Sequence, residues 1–155
     1  MKKMKKKLVI IFTLLLVLGA VGCGKSSSTP TNKQSIIPKE SFGRKNEVLD
    51  TIRIKSKKIN IQVWDHGQID GDIVSIYVND KKVIDSLTLD GPSNPFSVNV
   101  DLKFKGYNYV LLYAHNEGSV SPNTCTLKID DGVSPKEFEL KSNLQTNGTV
   151  DLVVE

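Results

Sequence analysis

The chain has 155 residues, a formal net charge of +4 at pH 7 and a pI of about 9.0. Five lysines lie within residues 2–7, and without them 16 basic residues face 17 acidic ones. The rest of the chain is therefore close to neutral, which leaves no basic stripe for phosphate contacts and excludes nucleic acid as an expected partner.

The first 22 residues have the pattern of an export signal. The basic residues 2–7 precede an apolar run, residues 8–21, which narrows to small side chains before Gly22. A basic start, a short apolar core and a small-residue end are typical of a secretory signal peptide. The apolar run is about fourteen residues long, whereas a membrane-spanning helix needs roughly 20. We therefore expect residues 1–22 to be cleaved rather than retained as a transmembrane anchor.

Cys23 indicates which kind of export signal this is. The stretch Ala20-Val21-Gly22-Cys23 resembles the lipobox of bacterial lipoproteins, although Ala20 stands where that motif usually has Leu. The resemblance implies cleavage between Gly22 and Cys23 and diacylation of the Cys23 thiol. Two acyl chains anchor a protein stably, because each buried methylene contributes about 0.8 kcal/mol. We expect a protein anchored to the extracytoplasmic face of a bacterial cell membrane through lipidated Cys23.

Residues 24–46 form a polar stretch that separates Cys23 from the rest of the chain. The stretch has a Ser/Thr run, scattered lysines, Pro30 and Pro38. Such a composition buries too little apolar surface to offset the entropy lost on ordering. We therefore expect residues 23–46 to be a lipidated cysteine and a flexible tether, which lifts a domain of residues 47–155 away from the bilayer.

From Val48 onwards, short runs rich in Val, Ile, Tyr and Thr alternate with Gly, Asn, Asp, Ser and Pro. Alternation with period two and the lack of a long helical period predict many short strands. Asn79-Asp80-Lys81-Lys82 and Asn147-Gly148 have the composition of turns. Eight or nine strands in about 105 residues predict an all-β fold, an immunoglobulin-like antiparallel β-sandwich. The predicted strands are residues 48–55, 59–63, 72–79, 83–89, 96–102, 107–116, 124–130, 136–141 and 149–154.

Two single residues of the domain each have a packing and a functional interpretation. Trp64 could stack on a ligand, but we expect it in the core, because aromatic side chains dominate such cores. Cys125 is the one cysteine left after lipidation of Cys23, so no internal disulfide can form. We expect Cys125 to be a buried apolar residue of a strand rather than a reactive thiol.

The densest polar stretch is residues 65–72, which contains three carboxylates and two glycines. Carboxylate oxygens are ligands that calcium prefers, so an irregular calcium loop is one interpretation of Asp65, Asp70 and Asp72. The other is turn chemistry, since Asp and Gly adopt tight-turn angles and Asp side chains bond nearby backbone amides. We favour turn chemistry from the sequence, with no cofactor expected beyond this possible calcium ion.

Other kinds of site have little support. An EF-hand is excluded because aligning Gly71 with its glycine puts His66 and Tyr77 where carboxylates are needed. A zinc site is not expected, because the chain has two histidines, His66 and His115, and no Cys/His cluster. A hydrolase alternative would combine Ser119 or Ser121 with His115 and Asp65, but no nucleophile motif supports it. We therefore expect no enzymatic activity.

Several motif pieces occur in a fixed order: Ile61-Gln62-Val63-Trp64-Asp65-His66-Gly67, Asp70-Gly71-Asp72, Ile76-Tyr77-Val78-Asn79 and residues 114–124. They resemble a β-sandwich accessory module of secreted and lipid-anchored bacterial proteins, with the pattern V-W-D-x-G-x-x-D-G-D-x-V-x-L-x-x-N-G … A-x-N-x-G-x-x-x-P-N-T-A. The resemblance spans residues 52–129, with Asp80 in place of Gly and Cys125 in place of Ala. It names no ligand and implies no catalysis. It implies one recurring loop system that contains Asp65, Asp70, Asp72, Asn116 and Asn123.

Together these patterns predict a non-catalytic binding or scaffolding module on the outer face of a membrane. Loops at one end of a sandwich are natural binding surfaces, and the expected partner is a protein, a cell-wall polymer or a glycan. The alternatives are a hydrolase and a calcium-stabilised spacer that use residues 65–72.

Overall fold

A computed structural model describes residues 31–155. The predicted signal peptide, the cleavage site, Cys23 and residues 24–30 of the predicted tether lie outside the described residues. Residues 31–155 contain no helix, so this part of the chain has no helical segment that could cross a membrane.

Strands make up the regular structure of the described chain, and nine of them have six residues or more. These nine correspond one to one to the nine predicted strands, with ends that differ by at most four residues. The strands are β1 (Thr31–Asn32), β2 (Glu40–Ser41), β3 (Arg44–Ile54), β4 (Lys58–Asp65), β5 (Ile73–Val78), β6 (Lys81–Thr88), β7 (Phe96–Asp101), β8 (Lys105–Ala114), β9 (Asn123–Asp130), β10 (Lys136–Ser142) and β11 (Thr146–Val154).

The strands form two sheets that pack face to face. The larger sheet has the order β2-β3-β11-β8-β5-β6, with β1 beside β8, and the smaller has the order β10-β9-β4-β7. The prediction of an all-β sandwich of mostly antiparallel strands is confirmed. Most pairs are antiparallel, but β3 runs parallel to β11 and β1 runs parallel to β8. The first long strand thus lies beside the last, which joins the two ends of the chain in one sheet.

The core lies between the sheets and follows the alternation of each strand. In β4, Ile59, Ile61 and Val63 point inward, while Trp64 is half-buried on the outer face. The expectation that Trp64 packs in the core is wrong, because a strand with Val63 inside must turn the next side chain outward. The residues that meet between the sheets include Val74, Ile76, Val110, Leu112, Leu127, Ile129, Val150 and Leu152.

Residues 31–46, which we call the strap, belong to the folded domain and not to a flexible tether. The strap begins beside Lys105 and crosses the outer face of the larger sheet, where Ser35 Oγ donates to Asp151 Oδ1 at 2.9 Å. Its last part is held by the fully buried Asn147, whose Nδ2 donates to Ser41 O and to Asn46 Oδ1. The sequence prediction failed because these partners lie about a hundred residues away from the strap.

Arg44 holds the strap against the end of β8. Its guanidinium donates to Ala114 O at 2.7 Å, to Asn143 O at 3.0 Å and to Tyr113 Oη at 3.1 Å. The same group stacks 4.0 Å from the centre of the Tyr113 ring, and the neighbouring Phe42 ring lies 5.6 Å from that ring. A charged donor with three acceptors and an aromatic face makes this a strong attachment.

The predicted turn at Asn147-Gly148 is wrong, since both residues lie inside β11. The turn is made by residues 143–145, where Asn143 Oδ1 accepts from Gln145 N and Thr146 N. Gly148 is needed for another reason. A Cβ atom at this position would lie 2.2 Å from Lys141 O, so only glycine lets β10 and β11 approach this closely.

The predicted turn between β5 and β6 is confirmed. Asn79 and Asp80 both have positive φ, +49° and +65°, as a type I′ hairpin loop requires. Asp80 stands where the resembled module has Gly. Its carboxylate accepts a 2.6 Å hydrogen bond from Tyr109 Oη, which helps to hold a conformation that glycine would adopt more readily.

The connections between strands lie at two ends of the sandwich, which differ in charge and which we call the loop end and the entry end. The loop end contains four acidic residues and no lysine or arginine in its connections, whereas the entry end contains three lysines and two aspartates. The chain enters the described structure at the entry end, where Thr31 pairs with Lys105. The loop end comprises residues 42–43, 66–72, 89–95, 115–122 and 143–145, and the entry end comprises residues 31, 55–57, 79–80, 102–104 and 131–135.

Candidate functional site

Three aspartates meet at the loop end, between the two sheets. Asp65 is the last residue of β4, and Asp72 immediately precedes β5. Asp70 lies in the connection between these two strands, and the ends of that connection come close together. One carboxylate oxygen of each aspartate lies within 4.8 Å of the others. Asp65 and Asp72 are only 3% and 2% exposed. We call these three residues the carboxylate cluster.

The strand alternation explains why this cluster is buried. Asp65 extends the inward-facing row of Ile61 and Val63, and Asp72 extends the row of Val74 and Ile76. Asn123 likewise continues the row of buried residues along β9. Polar groups therefore close the loop end of an apolar core. The period of two in the sequence could have identified Asp65 as an inward-facing carboxylate.

The connection between β8 and β9 wraps around the cluster. Asp70 Oδ2 accepts from Ser119 N at 2.9 Å and from Val120 N at 2.7 Å, and Asp72 Oδ2 accepts from Thr124 N at 3.0 Å. These amides belong to the connection between β8 and β9 and to the start of β9, so the turn chemistry favoured from the sequence does not account for Asp70 and Asp72. The two aspartates instead hold two loops together.

The two asparagines of the predicted loop system also lie here. Asn116 Oδ1 accepts from Ile73 N at 2.7 Å, and its Nδ2 donates to Gly71 O at 2.8 Å. Asn123 Nδ2 donates to Asn116 O at 3.4 Å. The structure thus brings together all five residues that the resemblance groups. Both polar atoms of the Asn116 side chain are hydrogen-bonded, so this residue stabilises the loop. The aspartates and Asn123, in contrast, each keep an oxygen without a partner among the described residues.

Several buried oxygens of the site lack a hydrogen-bond partner among the described residues. They are Asp65 Oδ2, Asp70 Oδ1, Asp72 Oδ1 and Asn123 Oδ1. A buried polar atom without a partner costs about 1–3 kcal/mol, and more when it is charged. Burial, followed by the charge of Asp70, raises the pKa of Asp65. Burial is also the main cause that raises the pKa of Asp72 to about 6, against the opposing bond from Thr124 N.

A small pocket of about 150 Å³ opens onto the cluster from solvent. Its lining includes Asp70, Asp72, Val120 and Pro122. His66 lines its mouth, with Nδ1 2.8 Å from Thr126 Oγ1 and Nε2 3.6 Å from Glu139 Oε2. The pocket has room for a few water molecules or a small cationic group beside the carboxylates.

The hydrolase alternative does not assemble among the described residues. His115 Nε2 lies 2.8 Å from Ser75 Oγ on the larger sheet, whereas His66 is bonded to the smaller sheet. No hydrogen bond joins His115 to Asp65, Ser119 or Ser121 in residues 31–155.

Ser75 and His115 form a pair that sequence reasoning missed, because their strands are 40 positions apart in the chain. The pair lacks two features of a nucleophile and its base. Ser75 is fully buried, and Asp85 contacts the Ser75 hydroxyl at 3.3 Å instead of orienting the histidine. The contacts indicate a structural link between β5 and β8.

Cys125 is fully buried in β9, opposite Asp65 in the register of β4. The expectation that it is a small core residue is confirmed. Burial raises the pKa of its thiol, so the reactive thiolate is suppressed.

Comparison of the chain with protein-family models, with curated proteins and with solved structures gave no significant match. The arguments that follow therefore rest on the residues and their geometry.

The raised pKa of Asp72 predicts how the stability of the metal-free domain depends on pH. Because the folded state binds this proton more tightly than the unfolded state, whose pKa is 3.8, the free energy of unfolding falls as pH rises through about 6. In a chelator, we expect Tm to drop by roughly 4–8 °C between pH 5 and pH 7.5. Thermal unfolding followed by circular dichroism measures this, and Asp72→Asn should flatten the profile. A Tm that rises over this interval would contradict the assignment.

Proposed function

We propose that the protein is a bacterial lipoprotein on the extracytoplasmic face of the membrane, and that its sandwich is a non-catalytic binding domain. The observation that carries the proposal is the distribution of exposed apolar side chains. Of the eight large apolar residues that are exposed in residues 31–155, four lie in the loop-end connections and a fifth, Phe96, begins β7 next to them. A concentration of exposed apolar side chains at one end of a domain is a feature of interaction sites. The five residues are Phe42, Ile69, Phe96, Val120 and Leu144.

The place where the chain enters the sandwich supports an orientation for this surface. Seven residues separate Cys23 from Thr31, so the anchor reaches at most about 29 Å from β1 even when fully extended. This linker of residues 24–30 is much shorter than the predicted tether of residues 23–46, because the strap is part of the domain. A lipid at Cys23 would hold the entry end near the bilayer and direct the loop end away from it.

The charges of the two ends fit the same orientation. Lys55, Lys57 and Lys103 lie in the connections of the entry end together with Asp80 and Asp131, and Lys55 pairs with Glu155 at 2.7 Å, so this end is only weakly basic. The charged residues in the loop-end connections are all acidic. Basic residues close to an anionic lipid surface contribute about 1 kcal/mol each. The acidic loop end would be repelled by that surface and remain available to a partner.

Among the three expected partner classes, the loop end favours a protein. Apolar side chains surrounded by charged groups are the usual composition of a protein interface. The acidic side chains of Asp90 and Glu117 would select a partner with a basic surface. Trp64, the residue that would best stack on a sugar, lies instead on the outer face of the smaller sheet.

The test places a photo-crosslinking amino acid in the full chain at Val120 or at Val133, in cells of a lipoprotein-producing bacterium. The two positions are matched, since both valines are more than half exposed, at opposite ends of the sandwich. We expect a discrete protein adduct from Val120 and none from Val133. Cys23→Ala should move the protein out of the membrane fraction and abolish the adduct. Equal adducts from both positions, or none from Val120, would refute the binding surface.

A further inference from the structure

The carboxylate cluster brings three acidic groups together without a salt bridge to any of them among the described residues. No salt bridge involves Asp65, Asp70 or Asp72 in the described chain, and no lysine or arginine lies in the loop-end connections. Like charges this close repel strongly when they are shielded from water. Two of the carboxylates are nine-tenths buried or more, and each has a buried oxygen without a hydrogen-bond partner.

From this geometry we propose that Asp65, Asp70 and Asp72 bind one Ca²⁺ ion. The ion would take the unpartnered oxygens Asp65 Oδ2, Asp70 Oδ1 and Asp72 Oδ1, while the opposite oxygens of Asp70 and Asp72 keep their bonds to backbone amides. Asn123 Oδ1 is a fourth buried oxygen without a partner, on the strand that holds Thr124 against Asp72. It is a neutral oxygen of the kind that completes calcium sites.

The donor atoms favour calcium over zinc and copper, and their spacing is compatible with calcium. The donors are all oxygen, which disfavours zinc and copper. Two oxygens on opposite sides of Ca²⁺ are separated by about 4.6–5.2 Å, twice its bond length, whereas Mg²⁺ allows only about 4.2 Å. The cluster oxygens lie within 4.8 Å of one another, inside the calcium limit. Water in the adjoining pocket would supply the remaining ligands of a coordination number of six to eight.

A bound ion would join the three loop-end connections that pack together here. The cluster takes its ligands from β4 and the following connection, and Asp70 is bonded to Ser119 and Val120 of the next loop. Backbone bonds tie the same place to residues 89–90, through Asp65 N to Asp90 O and Leu89 N to Asp72 O. The ion would therefore order Ile69 and Val120 of the binding surface. This last step rests on the proposed function, whereas the metal site does not.

The test is thermal unfolding of the chain from residue 24 onward, which keeps all described strands, at pH 7.5 in chelator, in CaCl₂ and in MgCl₂. We expect calcium at 100 times its dissociation constant to raise Tm by about 5 °C or more. Asp72→Asn and Asp65→Asn should remove the calcium shift without lowering Tm in chelator, because each removes a buried charge. Asp90→Asn, which removes an exposed loop-end charge outside the cluster, should keep the shift.

The proposal is overturned if 10 mM CaCl₂ leaves the Tm of the unmodified chain unchanged, or if both cluster variants keep the full shift. An equal shift in MgCl₂ overturns the assignment to calcium. The crosslinking experiment separates this outcome from the proposed function. A calcium shift without an adduct at Val120 would leave the metal site intact and refute the binding surface, and an adduct that survives chelation would refute the coupling between them.

Discussion

A chain that starts at residue 47 should not fold cooperatively at 25 °C, whereas a chain that starts at residue 31 should. The shorter chain loses the strap, and with it the bonds that Arg44 makes to Ala114, Asn143 and Tyr113. It also loses the partners of the buried Asn147 side chain and the cover over the outer face of the larger sheet. Charged hydrogen bonds of this kind contribute about 1.5–3 kcal/mol each, so the total approaches the 5–15 kcal/mol that stabilises a whole domain.

Far-ultraviolet circular dichroism and thermal unfolding of the two chains measure this difference. Arg44→Ala in the longer chain provides a milder variant and should lower Tm by several degrees without loss of the fold. Glu40→Ala, at an exposed strap position, is the matched control and should have little effect. A cooperative transition of the shorter chain within 2 °C or so of the longer one would show that the strap is dispensable.

Replacing Gly148 should strongly destabilise the larger sheet. An alanine Cβ would lie 2.2 Å from Lys141 O, and a backbone carbonyl cannot move aside as a flexible side chain can. We expect Gly148→Ala to destabilise the domain by about 3 kcal/mol, which corresponds to roughly 10 °C in Tm. The cause is a clash inside a strand and not a disfavoured backbone angle, since Gly148 is not among the glycines with positive φ.

Two further variants separate this explanation from the turn that the sequence predicts. Asparagine is tolerated at positive φ in turns, so Gly148→Asn would be mild if residues 147–148 formed a turn. In β11 it should be as harmful as alanine, because its Cβ meets the same carbonyl. Thr51→Ala, at an exposed position of the neighbouring β3, controls for substitution in this sheet. Urea unfolding gives the differences in free energy, and a loss below about 0.5 kcal/mol for Gly148→Ala would contradict the predicted clash.

The role of the strap changes the way the proposed anchor works. With residues 31–46 folded onto the sheet, the linker between Cys23 and the domain is seven residues long. If Cys23 is lipidated as proposed, a domain held this closely would keep a preferred orientation, with the entry end towards the lipid headgroups. A flexible tether of twenty or more residues would let the domain rotate freely and would not select the loop end as the outward surface.

The sequence by itself determined the fold class, the nine long strands and the place of the candidate site. These features depend on local signals, namely the period of two within each strand and the turn residues between strands. The same period predicts that Asp65 is buried, because Asp65 lies an even number of residues from the inward-facing Ile61 and Val63 on the same strand. The expectation that Trp64 packs in the core rests on its size, whereas the alternation of β4 directs its side chain outward. The resemblance grouped Asp65, Asp70, Asp72, Asn116 and Asn123 correctly in space, although it says nothing of their chemistry.

The hydrogen bonds and packing contacts between distant parts of the chain are visible only in the tertiary structure. The strap looks disordered by composition, and it is ordered because Asn147 and Tyr113 offer partners that no local window contains. Asn147-Gly148 has turn composition, but the approach of Lys141 O requires glycine within a strand. Residues 65–72 have the composition of a turn, but the unpartnered oxygens of their aspartates become visible only when β4, β5 and β9 are brought together. In each case the deciding contact joins residues far apart in sequence, where local propensity carries no information.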